Sequence, residues 1–249
     1  MSDVATTGPT PGPVNAEVIG CQGLHAGYGG VPVVRALDLS VGAGEVVALI
    51  GPNGAGKTTT LLTLAGELAP IGGTVTWLGS PTTAPLHQRA REGLGLVTEE
   101  RSVFMSLSAA DNLRLGGVSR EVATALFPEL DPLMKRTAGL MSGGEQQMLT
   151  LARALGRVPK ALLADELSLG LAPRVVQRLL AAVRDAATEH GIGVLLVEQH
   201  VNEALKIADR VHVLRRGQVV LSGTPAELGD RLAQLQDAYL SGAEPDEAP

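Results

Sequence analysis

Three short apolar runs punctuate the chain: VVALI at 46–50, ALLA at 161–164 and GVLLV at 193–197. None alternates apolar with polar residues, so each is predicted to be a strand covered on both faces, as in a mostly parallel sheet flanked by helices. The first run stops at Gly51 and a glycine-rich loop, after which an apolar-periodic helix is predicted to begin near Lys57. The second run stops at two carboxylates, Asp165 and Glu166, and the third opens onto Gln199 and His200 before a helix expected from about Val201. Another helix is predicted after Ser142, where Met148, Leu149, Leu151, Ala152 and Leu155 give one apolar face. Ligands of open parallel sheets bind beyond the C-terminal strand edges, so the residues that follow the runs are those to read for chemistry.

Composition narrows the class. A chain of 249 residues suffices for one large domain with a sizeable core. Hydrophobic residues make up 45% of it, yet no run approaches the roughly 20 apolar residues that span a bilayer. Residues 1–15 have no basic segment leading into an apolar one and read as a flexible leader, which makes the cytoplasm the expected compartment. Residues 16–240 are expected to form a single domain, and the acidic, Pro-containing 241–249 a disordered tail. Cys21 is the only cysteine, which excludes an intrachain disulfide and a cysteine metal cluster. A net charge of −6 with five aromatic residues (one Trp, two Tyr, two Phe) argues against a nucleic-acid partner.

The stretch Gly51, Pro52, Asn53, Gly54, Ala55, Gly56, Lys57, Thr58 and Thr59 stands between strand and helix in the order a phosphate cradle requires. Glycines let successive backbone N–H groups turn inward, and the helix start adds positive potential for phosphate oxygens. Lys57 would meet the β and γ phosphates, and Thr58 would offer a hydroxyl to Mg2+. At the end of the second run Asp165 would hold Mg2+ and Glu166 would polarise the attacking water. Ser142, Gly143, Gly144 and Glu145 open a second helix and so make a second anion-binding helix start, although a serine N-cap alone would account for them. One nucleotide does not need two cradles from one chain; a head-to-tail dimer uses both, with the second closing on a γ-phosphate held by another subunit.

In their order and spacing, GPNGAGKTT, SGGEQQ and the acidic strand resemble the ATP-binding cassette ATPases, over a span from about Val18 to Leu240. DELSLGLAP and VTEERSVFMSLSAADNL are similar to segments of the second ATPase subunit of branched-chain amino-acid importers. The absence of a guanine-reading NKxD tetrad, of a second cassette and of a coiled-coil insertion sets aside GTPases and most soluble cassette proteins.

The resemblance implies a P-loop core sheet with an antiparallel β subdomain around residues 18–40 and 73–79, and a helical subdomain at about 93–145. It implies adenine stacking on Tyr28, Mg2+ contact by Glu99, and a γ-phosphate switch just after the third apolar run. Counting back from Asp209 puts Gln199 at the switch position and His200 one beyond; a one-residue shift exchanges them. Leu167, Thr98 and Met141 depart from the family pattern, and Ala172 stands where a dimer-contacting aspartate is usual. The implied activity is ATP hydrolysis by a subunit peripheral on the inner membrane face, paired with a second ATPase subunit in a homo- or heterodimer. Transmembrane permease subunits would dock near Phe104 and Leu107, and a substrate-binding protein would act indirectly. The implied substrates are hydrophobic amino acids, with urea or short amides, or a soluble non-transport role, as the alternatives.

Overall fold

The computed structural model describes residues 16–100, 102–199 and 201–229. The expected leader, the acidic tail and His200 lie outside these described residues.

Strand β3 (Val46–Ile50), β7 (Ala161–Asp165) and β8 (Gly193–Glu198) are buried at every position, as the unbroken apolar runs require. They form the parallel centre of a six-stranded sheet in the order β10-β9-β3-β8-β7-β6, with β6 (Leu94–Val97) at one edge and β9 (Arg210–Arg215) beside β3. Only β10 (Gln218–Gly223) runs antiparallel to its neighbour. A second, four-stranded antiparallel sheet has the order β2-β1-β4-β5, from β1 (Glu17–Tyr28), β2 (Val31–Gly42), β4 (Gly72–Trp77) and β5 (Ser80–Pro81).

The period-2 geometry of the central strands divides the interior into two cores. Val46, Ala48 and Ile50 of β3 point into one, and Val47 and Leu49 into the other. Likewise Val194 and Leu196 of β8 join the first core while Leu195 and Val197 join the second. The first core is closed by α5 (Gly143–Leu155) and α6 (Pro173–His190), the second by α1 (Lys57–Ala65) and the antiparallel sheet. The six-stranded sheet is thus the middle of three layers, and each fully buried Leu or Ile contributes about 1.5–3 kcal/mol relative to exposure.

Helix α2 (Leu86–Glu92) leads into β6, and α3 (Ala109–Leu115) and α4 (Arg120–Leu126) follow it, each N-capped by a serine, Ser108 and Ser119. Two 3-10 stretches, Pro128–Leu133 and Ala138–Leu140, then lead to α5. The helical segment, expected from residue 93, begins only after β6, because Leu94–Val97 pairs with β7 inside the main sheet. Nor does it own a separate core: Phe127, Leu130 and Ala138 are fully buried in the same cluster as β3 and β8. Helix α7 (Val201–Leu205) follows β8, and among the described residues no helix is long and apolar enough to cross a membrane.

Candidate active site

Because β3, β8 and β7 are parallel neighbours, their C-terminal ends lie side by side. Gly51, the Glu198–Gln199 pair and the Asp165–Glu166 pair therefore share one sheet edge. A cleft of about 330 Å³ opens there, lined by Val33, Asn53, Gly54, Gly56, Lys57, Thr58, Thr59, Glu99, Glu166, Leu169 and Gln199.

The loop is shaped by contacts that only glycine tolerates. A Cβ on Gly51 would come within 2.3 Å of the Leu214 carbonyl oxygen. Gly56 lies at φ +105° against the Val34 side chain, 2.8 Å from where its Cβ would be. Gly56 caps α1 without a side-chain hydrogen bond, and no acid stands in the first turn. Among the described residues the first-turn N–H groups thus have no side-chain cap, the condition under which a helix start binds an anion. Lys57 is 5% exposed, and its Nζ donates to the carbonyl oxygens of Gly51 (3.0 Å) and Pro52 (3.3 Å) while standing 3.5 Å from Glu166 Oε1. The lysine is held by weak oxygen partners that a phosphate can replace.

Asp165 is 1% exposed, and its Oδ1 has no hydrogen-bond partner among the described residues. Burial pushes its pKa up to about 6; the Thr58 hydroxyl and Lys57 oppose that shift, and Glu166 and Glu99 add to it. An orphaned buried carboxylate oxygen beside a hydroxyl, with Glu99 on the cleft wall, suits a hard divalent cation such as Mg2+. Glu166 follows β7 at φ 48°, in the left-handed region, with its N–H donating to the Val197 carbonyl at 2.9 Å. That conformation costs roughly 1–2 kcal/mol for a side chain with a Cβ. It aims the carboxylate at the cleft.

Of the predicted residues, Asn53, Gly54, Gly56, Lys57, Thr58, Thr59, Glu99, Glu166 and Gln199 line this cleft, Gly51, Pro52 and Ala55 are not on its wall, and Asp165 is buried beside Thr58. Tyr28 ends β1 at 55% exposure and is not on the cleft wall. Ser142 through Glu145 stand apart from it at the head of α5, where they form a capping box. Ser142 Oγ accepts from the Glu145 N–H at 3.3 Å, and Glu145 Oε2 accepts from the Ser142 N–H at 2.6 Å. The N–H groups of Gly143 and Gly144, in the first turn, have no such cap. Gly144 also has a packing reason to be glycine, since its Cβ would sit 3.0 Å from Val175.

Sequence reading missed Val33 and Leu169 on the wall, and Ser168 and Glu198 behind it. Val33 and Leu169 carry no signal in the pattern. Glu198 does: a carboxylate at the last position of an unbroken buried run. Its Oε1 accepts from the Ser168 N–H (3.1 Å) and its Oε2 from the Ser168 hydroxyl (2.7 Å). A second cleft of about 480 Å³ lies between β6 and the end of α5, lined among others by Arg91, Arg153, Arg157 and Lys160, and shares no residue with the first.

The family model described as ABC transporter matches residues 34–168. The chain belongs to the ABC transporter ATPases. It is 40% identical over 225 residues to the high-affinity branched-chain amino acid transport ATP-binding protein BraG of Pseudomonas aeruginosa, an alignment covering 86% of this chain and 96% of that one. It is also 39% identical over 226 residues to the lipopolysaccharide export system ATP-binding protein LptB of Acidithiobacillus ferridurans, covering 86% and 93%. In fold it matches an ATP-binding cassette of an ABC transporter solved in its ADP conformation, with a TM-score of 0.79 at 23% identity over 90% of this chain and 98% of the other. This ABC ATPase therefore binds and hydrolyses ATP as a transporter component.

Proposed function

We propose that this ABC ATPase drives an importer of branched-chain or other hydrophobic amino acids, with Mg-ATP bound at the cleft of the phosphate loop. The observation that carries the reading is the likeness to BraG along nearly its whole length, supported by 34% identity to a probable branched-chain amino acid transport protein LivF of Archaeoglobus fulgidus. Export of a lipopolysaccharide is the second reading, favoured by the LptB relatives at 39% and 35% identity.

In the proposed mechanism phosphate oxygens take the place of the Gly51 and Pro52 carbonyls on Lys57 and accept from the first-turn amides of α1. Lys57 then leaves Glu166, whose freed carboxylate orients a water and accepts its proton as that water attacks the γ-phosphate. Thr58 and Asp165, with Glu99 on the cleft wall, would hold Mg2+, which when bound would supply charge neutralisation for the phosphate oxygens. Gln199 donates an amide hydrogen bond to the γ-phosphate and carries no titratable proton. Because Ser142, Gly143 and Gly144 lie away from their own cleft, they serve a nucleotide held by a second cassette in a head-to-tail dimer. The half-exposed Phe104, stacked 5.3 Å from the Arg153 guanidinium at the edge of the cationic cleft, supports docking of a permease segment on that face, at the inner side of the membrane.

Uptake of labelled leucine by cells lacking this chain, complemented with wild type or with Glu166→Gln, tests the reading. Uptake should return with wild type alone. Normal leucine uptake in the deletion, together with loss of lipopolysaccharide from the outer surface, would favour the export reading.

A further inference from the structure

Glu198 is 1% exposed at the end of an otherwise apolar strand, where a carboxylate costs several kcal/mol to bury unless its oxygens are satisfied. Both are, and both by one residue, Ser168. Ser168 is 6% exposed and sits two positions beyond Glu166. The segment between β7 and α6 is therefore tied to β8 twice in succession: the Glu166 N–H donates to the Val197 carbonyl, and Ser168 donates to the Glu198 carboxylate. Beyond the second tie the chain turns outward through Leu169, which lines the nucleotide cleft, and Gly170 at φ 67°. On the other side, the residue after Glu198 is Gln199, which lines the same cleft. Two walls of the cleft thus join at one buried pair of hydrogen bonds, and neither Ser168 nor Glu198 is on the cleft surface.

We propose that Glu198 is a positioning residue for ATP hydrolysis, its carboxylate clamping Ser168 so that Glu166 keeps its left-handed conformation and stays in register with Gln199. A core role alone would be better filled by an apolar side chain, which would need no partner. Burial, with Asp165 and Glu166 nearby, pushes the Glu198 carboxyl up to about 7 against the two hydrogen bonds from Ser168, so the clamp works in a group whose charge is dispensable. Glutamine can replace it without breaking either bond: its carbonyl oxygen accepts the Ser168 N–H, and its amide donates to the hydroxyl oxygen, which accepts as well as donates. Alanine can make neither.

The inference rests on the assignment of Glu166 as the water-orienting base, and the test separates the two. ATP turnover is measured for Glu198→Ala, Glu198→Gln, Ser168→Ala, Ser168→Thr and Glu166→Gln, with ATP affinity measured independently by equilibrium binding. Glu198→Ala should lower kcat by about 10- to 100-fold, the effect of displacing a reacting group by around 1 Å, with ATP affinity within about threefold of wild type. Glu198→Gln should restore kcat to within about threefold, and Ser168→Thr should do the same relative to Ser168→Ala. In a Glu166→Gln background Glu198→Ala should add almost nothing, because the group it positions is already gone. Unchanged kcat in a folded Glu198→Ala overturns the proposal, as does a loss that appears only in ATP affinity or that glutamine fails to rescue. If the Glu198→Ala protein does not fold, Ser168→Ala decides: an undiminished kcat overturns the clamp, and a loss repaired by Ser168→Thr supports it. Wild-type turnover by Glu166→Gln would instead sink the assignment of the base.

Discussion

Strands β7 and β8 are parallel neighbours that both end in a buried carboxylate, yet the two acids are in opposite states. Among the described residues Asp165 has an oxygen with no partner, whereas Glu198 has both oxygens bonded to Ser168. Each is 1% exposed, and burial raises the pKa of each. On the proposed reading, the acid left unsatisfied is the one that would take a cation. One that the chain satisfies is already part of the scaffold. The contrast separates ligand-seeking groups from positioning groups more sharply than burial or electrostatic shift does, since those are similar for the two.

The strongest way to break the contrast is at the end of β7. Glu166→Gln should bind ATP normally and slow turnover by roughly 100- to 10,000-fold, the usual worth of a general base. Because cleavage itself is blocked, ATP should also hold the proposed head-to-tail dimer closed, read as an ATP-dependent shift in size-exclusion chromatography, alone or with a second cassette subunit. Asp165→Asn should come next: loss of several kcal/mol of the charge stabilisation that the metal supplies, and loss of the rise in melting temperature that Mg2+ with ADP gives the wild type. Without Mg2+ the same variant should melt no lower than wild type at pH 8, because a buried charge has been removed. A variant that keeps its Mg2+-dependent shift would mean that the orphaned oxygen is not a ligand.

At the end of β8 the expected effects are smaller. Gln199→Ala should lower kcat by more than about tenfold, near 1.4 kcal/mol of transition-state stabilisation, and His200→Ala should change it little. The reverse ranking at saturating ATP would put the histidine at the γ-phosphate. A rate step near pH 6.5 that vanishes with His200→Ala would say the same.

What the sequence made legible follows the same division. The strand-loop-helix order at 46–65 could be read because fixed glycines and a lysine stand at fixed spacing between two apolar segments, and α1 begins at Lys57 where that spacing puts it. The buried runs were legible because strands covered on both faces have no polar positions to interrupt them. Glu198 was passed over because an apolar run is read up to its last apolar residue, and its partner Ser168 is thirty positions away in sequence, across a strand pairing that no local pattern encodes. The four-residue β6 was absorbed into the helical segment for a related reason: so short an apolar run has no period of its own, and only its pairing with β7 makes it a strand. Leu167, a departure from the family pattern, is a core residue at 1% exposure. The left-handed φ of Glu166 had no signature at all, since a glycine would have been the residue to flag it.

The smallest effect is thermodynamic and tests the satisfied acid alone. The Glu198 carboxyl is raised from 4.5 to about 7 in the folded chain. For an acid with a raised folded pKa, both states are protonated below about pH 4.5 and there is no difference to pay. As pH rises past that point the unfolded chain ionises first, so the folded state loses stability until its own carboxyl ionises near pH 7, and the loss is constant above. Glu198→Gln keeps the two hydrogen bonds and has no proton to lose, so its stability should escape this slope. Between pH 6 and pH 7 the variant should gain on the wild type by on the order of 1 kcal/mol, about 2–4 °C in melting temperature for a chain of this size. Measured without nucleotide or Mg2+, the two melting curves should converge toward pH 4.5 and separate toward pH 7.5. Asp165, held up to about 6, adds a slope of the same sign and His212, held down to about 4, an opposing one; both act in both proteins and cancel in the difference. Parallel curves across that window would mean that Glu198 stays ionised in the folded protein, and that Ser168 satisfies it as a charge rather than as a neutral acid.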